Sequence, residues 1–248
     1  MKTYASLLTV ISFMAISSSV MASGADSSAY QGALFNGDST KFYDTVHSGG
    51  PRLLSVGIGI QQQKRAMQSD FGTTDIKINH LTGTLGVDVT KWLTLYGGAG
   101  AADYSTPNVN KSSNFEWLVG GTIRALDYMV LEPWNDIDQY CVGVDINSFY
   151  RNTTVDDTWS SSSKDLSEFF ASLTMSFYSK NDKYGLWDRL GFYFGPAIST
   201  LSLDNRSEDQ AFGIIGGLQL NPNPNISFKL EVQKFDAMGM GASCSFHF

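Results

Sequence analysis

Cysteine, histidine and long apolar runs are what this chain has least of. Two cysteines and three histidines in 248 residues are too few for a disulfide scaffold or a His/Cys metal centre. Gly57-Ile58-Gly59 lacks the strand–helix context of a phosphate loop, so no cofactor is expected. No run of 18 or more apolar residues occurs, which excludes a helical membrane span. Positive charge is scarce as well: 17 Lys+Arg stand against 24 Asp+Glu, a net charge of −7. Nucleic acid is therefore not an expected partner, because phosphate binding needs a basic face. Charged residues make up only 17% of the chain and hydrophobic ones 42%, the reverse of a disordered composition.

What is present begins with an export address. Lys2 precedes the apolar stretch Leu7–Ile16, and Val20-Met21-Ala22 supplies a cleavage site, so residues 1–22 are expected to be a signal peptide. Residues 23–50 are rich in Gly, Ser, Asp and Asn without a clear period, and are expected to be a flexible leader.

From Pro51 the period becomes two. Leu54-Ser55-Val56-Gly57-Ile58-Gly59-Ile60-Gln61 alternates apolar with small or polar residues, which puts one kind on each face of a strand. The pattern recurs near 75–89, 92–102, 114–125, 139–151, 166–178, 190–202, 210–220, 226–235 and 238–248. That makes about ten strands over residues 51–248, with eight or twelve also compatible. The runs exceed the 5–6 residues usual in a soluble sandwich. They match the ~9–11 residues of a strand crossing a bilayer. Of 53 positions on the apolar face one is charged, Lys234, where the chain average would give about nine. A lipid-facing Lys or Arg at mid-depth costs roughly 2–4 kcal/mol, which accounts for the exclusion. A sheet in lipid must close on itself, since an edge amide finds no partner there. The expected fold is therefore an all-β, closed antiparallel transmembrane β-barrel. Keeping Ile76 and Ile78 on the apolar face requires a slip of phase near His80.

Several residues stand out on this frame. Asp88, Glu116, Arg124, Asp145, Glu168, Lys229 and Glu231 fall on the inward face. They admit two readings: the lining of a small cation-preferring channel, or ion pairs that fill a narrow lumen. Trp92, Trp134, Tyr178 and Trp187 at one end, with Tyr104 and Tyr150 at the other, are placed as interfacial girdles. Residues 103–113, 152–164 and 203–209 read as outer loops. Cys141 is placed inward and Cys244 outward, too far apart to pair.

Thr90-Lys91-Trp92-Leu93-Thr94-Leu95-Tyr96-Gly97-Gly98-Ala99-Gly100 resembles the turn and rising strand of small Gram-negative outer-membrane barrels of the OmpA, OmpX and OmpW type. Ser243-Cys244-Ser245-Phe246-His247-Phe248 resembles their C-terminal signal. In those families that signal is read by the barrel-assembly machinery, with Phe246 and Phe248 at the matching positions here. The resemblance implies residence in the outer membrane among lipid and lipopolysaccharide. It also implies a structural or surface-interaction role in which outer loops meet an extracellular partner. Barrels of similar size include omptin proteases and lipid A acyl-modifying enzymes, whose chemistry needs a His beside carboxylates or a Ser. Here only His80, with Asp75 five residues before it, is placed for such a role, and the sequence favours a non-enzymatic reading.

Overall fold

A computed structural model describes residues 54–248 apart from 70–71, 91, 107–108, 131–137, 158–161, 182–188, 204–205, 209 and 224. The signal peptide and leader assigned to 1–22 and 23–50, and the girdle residues Trp134 and Trp187, lie outside the described residues. The strands are β1 (Ser55–Ser69), β2 (Gly72–Thr90), β3 (Leu93–Thr106), β4 (Val109–Val130), β5 (Asp138–Asp157) and β6 (Ser162–Asn181). They continue with β7 (Arg189–Leu203), β8 (Arg206–Glu208), β9 (Phe212–Asn223), β10 (Ile226–Lys234) and β11 (Met238–His247).

Each long strand pairs antiparallel with its neighbour, and β11 returns to β1 from Ser55↔His247 to Gln62↔Met240. Ten long strands thus close into a barrel, and the count left open between eight and twelve is ten. The end where β1 starts and β11 finishes is termed lower. At the upper end the β10–β11 hairpin turns early, at Phe235–Ala237, while β1 continues to Ser69. The three-residue β8 fills the resulting notch, pairing Ser202↔Ser207 and Leu203↔Arg206 with β7, and Met67↔Glu208 and Gln68↔Ser207 with β1. The upper wall is therefore also closed.

The strands are longer than the sequence pattern suggested. Most of 103–113 and 152–164 is strand rather than loop: β3 reaches Thr106, β4 starts at Val109, and β5 and β6 stay paired to Asp157↔Ser162. Segment 203–209 likewise contains β8. The polar composition of these segments hid the fact that Thr153-Thr154-Val155 is β-branched and has a partner strand beside it.

Around the lower barrel the outward residues form an apolar belt. Leu85, Phe115, Val119, Phe194, Ile214 and Leu230 are all exposed on it. Most inward positions of this half are small or polar, with Leu118, Phe149 and Ile215 as apolar exceptions. No slip of phase occurs near His80: Ile76, Ile78, His80 and Thr82 all point inward and are buried, with Asp75, Lys77 and Asn79 outward. Parity is kept, and what changes is the surroundings. Above the belt the outside is polar and the inside apolar, as in a water-soluble barrel.

Candidate functional site

The interior is built in three layers. The uppermost is apolar: Met67 of β1, Ile76 and Ile78 of β2, Ala102 and Tyr104 of β3, Leu166 of β6, and Leu201 and Leu203 of β7 pack into one buried cluster. Beside it the Leu201 N–H donates to Glu208 Oε2 at 2.8 Å, which ties β8 to the wall. Burial pushes the Glu208 carboxyl above the ordinary carboxylate range.

Below the cluster lies an ionic layer. Glu116 is fully buried, meeting His80 Nδ1 at 2.5 Å, the Thr82 hydroxyl at 2.8 Å and Arg151 Nε at 3.8 Å. Arg151 also faces Glu168 at 3.5 Å and donates to Gln61 Oε1 at 2.9 Å. Glu168 accepts from Gln63 at 3.2 Å and from the Ser199 hydroxyl at 2.8 Å. Arg65 donates to Ser199 Oγ at 3.0 Å and to the Gln210 carbonyl at 3.0 Å. Asp236 of the β10–β11 tip faces Arg65 at 3.4 Å and accepts from the Ala66 N–H. Arg65 stacks on Phe235, 4.4 Å from the ring centre, and Arg151 on Phe149 at 4.9 Å. Phe149 stacks on Phe170 with centroids 4.8 Å apart, and Phe170 meets Phe235 edge to face at 6.5 Å. Charge and aromatic packing thus form one plug across the barrel. A buried pair of this kind needs every partner, because an uncompensated charge in low dielectric is costly.

The lower layer is a cavity of about 470 Å³, whose lining extends to Ser55 and Ser245 near the lower rim. Arg124 and Asp145 are paired there at 3.0 Å, and Lys229 and Glu231 at 2.8 Å. The Tyr193 hydroxyl donates to Glu231 at 2.8 Å, and the Tyr96 hydroxyl to Asn147 at 2.7 Å. Asp88 accepts from the Thr94 hydroxyl at 2.6 Å.

Each of the seven charges read from the sequence as inward therefore has an ion-pair or hydrogen-bond partner. Two carboxylates of the plug, Glu116 and Glu168, belong to a network completed by side chains that the sequence pattern did not single out. These are Arg65, Arg151 and Asp236. Arg151 ends the run 139–151 on the inward odd parity of Cys141 to Phe149 and was passed over there, whereas Arg65 continues the parity of Gln61 and Gln63 and only a longer first strand would have revealed it. His80 is separated from its suggested partner: Asp75 is exposed on the opposite face.

Two girdle assignments are corrected. Tyr104 is buried in the upper apolar cluster, and Tyr178 points into the lumen. Both follow the even parity of their strands. Gly191 stands opposite Tyr178, where a Cβ would come within 2.5 Å of the tyrosine Cβ, so the wall leaves room for the ring. Tyr150 is outward beside Trp117, at 5.6 Å between centroids, and Trp92 is half-buried at the β2–β3 turn. Phe246 and Phe248 are exposed on the belt. Cys141 is buried inward and Cys244 half-buried outward, and neither is in a disulfide. Among the described residues no group of three His, Cys, Asp or Glu is placed to hold a metal ion.

A closed barrel with an apolar belt outside and polar groups inside is a protein that spans a lipid bilayer by its strands. No protein-family model matches the chain, and no curated protein sequence matches it. Among solved structures, the translocator domain of the autotransporter NalP from Neisseria meningitidis is similar over 85% of this chain and 94% of its own, at 10% identity and a TM-score of 0.36. An outer membrane channel from Pseudomonas putida F1 is similar over 80% and 96%, at 10% identity and 0.40. The outer membrane protease OmpT from Escherichia coli covers 79% and 95%, at 8% identity and 0.31. Likenesses this distant assign no role to the chain; only its own residues can.

Proposed function

We propose that the chain is a bacterial outer-membrane protein whose non-conducting barrel carries a rigid β-sheet projection above the membrane, for contact with an extracellular partner. Residues 1–22 would direct export, Phe246 and Phe248 would serve the assembly machinery, and the belt would lie among outer-membrane lipid and lipopolysaccharide. One observation carries the reading. The strands outrun the belt, and the overhang is apolar inside and polar outside. β2 has 19 residues, whereas a bilayer crossing takes ~9–11. A pore needs a continuous polar path, and here Met67, Ile78 and Leu203 with their neighbours block it.

The test has two parts. Purified protein in planar bilayers is expected to give no discrete conductance steps. Cells bearing the protein are expected to bind host-cell or matrix-coated surfaces, and to lose that binding when the upper ends of β3–β4 and β5–β6 are trimmed to short turns, with heat-modifiable gel mobility retained. Discrete conductance steps, or binding indifferent to trimming, would overturn the reading.

A further inference from the structure

We infer that the lower cavity is a binding cup for a small neutral polyhydroxylated solute of the sugar or polyol class, entered from the periplasmic end and closed above. The inference rests on the closed upper barrel proposed above. Its volume of about 470 Å³ lies within the ~300–1,000 Å³ of small-molecule sites.

The cup is held open by construction. Tyr96 lies against Gly120, where a Cβ would sit 2.7 Å from the ring Cζ, and Tyr193 lies against Gly217, where a Cβ would sit 2.5 Å from the hydroxyl. Both glycines thus leave the room that the phenol ends of these rings occupy at the wall. Their hydroxyls are fixed by Asn147 and Glu231, so the ring positions are set before any ligand arrives.

The chemistry selects the occupant. Charges on the wall come as pairs, Arg124 with Asp145 and Lys229 with Glu231, and Arg151 at the ceiling is balanced by Glu116 and Glu168 behind it. Neither a cation nor an anion is favoured by such a wall. Paired carboxylates, an amide and hydroxyls can instead accept and donate to several hydroxyl groups at once. The Tyr96 ring offers apolar surface to a sugar's C–H face, while the Tyr193 ring carries Lys229 Nζ 4.5 Å from its centre. The ceiling adds an acceptor in want of a donor. His80 lines the cavity and is almost fully buried. Its Nδ1 is engaged by Glu116, and its Nε2 has no hydrogen-bond partner among the described residues. With the proton on Nδ1, Nε2 is left as a buried acceptor without a donor beside the cavity.

The experiment uses the full mature chain in detergent micelles, titrated calorimetrically with maltose and with myo-inositol, and with acetate and choline as charged comparisons. Saturable binding of at least one of the two neutral probes is expected, with no binding of acetate or choline. Affinity should fall at least tenfold in Asn147→Leu, which removes an acceptor, and in Ser243→Phe, which fills the cup. Heat-modifiable mobility verifies that each variant is folded. The wild-type melting midpoint should rise with the bound probe, a reading independent of both variants. Absence of saturable sugar binding, preference for a charged probe, or undiminished affinity in folded variants would overturn the cup. Sugar flux into liposomes would instead overturn the closed-barrel reading, so the two failures are distinguishable.

Discussion

Ile78 and Lys77 are adjacent, and the inverted alternation above the belt assigns them opposite fates. Ile78 is 1% exposed within the upper apolar cluster, against Met67, Tyr104 and Leu203. Replacing it with alanine removes three carbons and leaves a space that a closed sheet cannot collapse to fill. Buried Ile→Ala changes of this kind cost about 2–5 kcal/mol, transfer and cavity together. Lys77 points outward on the overhang, and Lys77→Ala should stay within about 0.5 kcal/mol, as surface changes do. The assay is urea unfolding of protein folded into lipid vesicles, followed by tryptophan fluorescence and by gel mobility without boiling. With a slope of about 1–3 kcal/mol/M, a loss near 3 kcal/mol lowers the Ile78→Ala midpoint by about 1–3 M, and the Lys77→Ala midpoint hardly moves. Had the phase slipped at His80, Ile78 would face lipid and Lys77 the lumen. Equal midpoints, or a larger loss for Lys77→Ala, would refute the inversion.

Other consequences can be measured on the same preparations. Glu116→Ala leaves buried His80 without its carboxylate and Arg151 with Glu168 alone, and should cost about 3–5 kcal/mol, far more than Asp88→Ala, which gives up a single hydroxyl contact. Leu85→Arg puts a charge on the belt and should cost roughly 2–4 kcal/mol by vesicle refolding, whereas Gln62→Arg, just above the belt, should be tolerated. A lipid-soluble maleimide should label Cys244 and spare Cys141 in the folded barrel, with no disulfide on a non-reducing gel. Burial raises the Glu208 carboxyl, so the folded rim binds that proton more tightly than the unfolded chain does. Its contribution is greatest below the ordinary Glu value of about 4.3 and is lost as pH rises toward the folded value. Faster intrinsic-rate-corrected exchange of the Leu201 amide across that window, abolished in Glu208→Gln, would show it.

Parity was legible except in the upper half of β2; the environment was not. The alternation placed Glu116, Glu168 and Lys229 inward from single residues, because a strand offers only two faces. The same alternation misled at Ile76 and Ile78, where apolar was equated with outward although a strand leaving the bilayer exchanges lipid for water. Tyr104 was lost to the same equation, and Tyr178 because aromatics near strand ends were assumed to seek the interface. The ionic plug was half legible. Glu116 and Glu168 lie within the membrane-length runs, but Arg65 lies beyond them, and Asp236 is carried by a turn whose inward tuck depends on tertiary packing. The cup was not legible, since it depends on Gly120 and Gly217 standing opposite particular tyrosines, a matter of register between strands.

Register also shows where the protein leaves the bilayer. Ile60, Leu81, Ala101 and Phe115 stand side by side on β1 to β4, all outward and apolar. Two residues higher, Gln62 stands beside Asn79, and Asn79 beside Asp103, with the first two side chains hydrogen-bonded at 2.9 Å. One step along each strand's outer face thus changes lipid for water at the same row on several strands. Such a row runs perpendicular to tilted strands and climbs relative to the membrane, so it cannot continue unbroken around a closed barrel. The boundary must step down somewhere, and it does at β4–β5, where Trp117 faces Asn152 while Val119 faces Tyr150. On the next pair the switch is again aligned, with Tyr150 beside Phe169 and Asn152 beside Ser167. A soluble barrel has no reason to keep so sharp an outer frontier or to shift it with the shear. The frontier and its step argue together for one flat lipid surface crossing a tilted sheet, and the inward switch from cup to apolar cluster lies just above it.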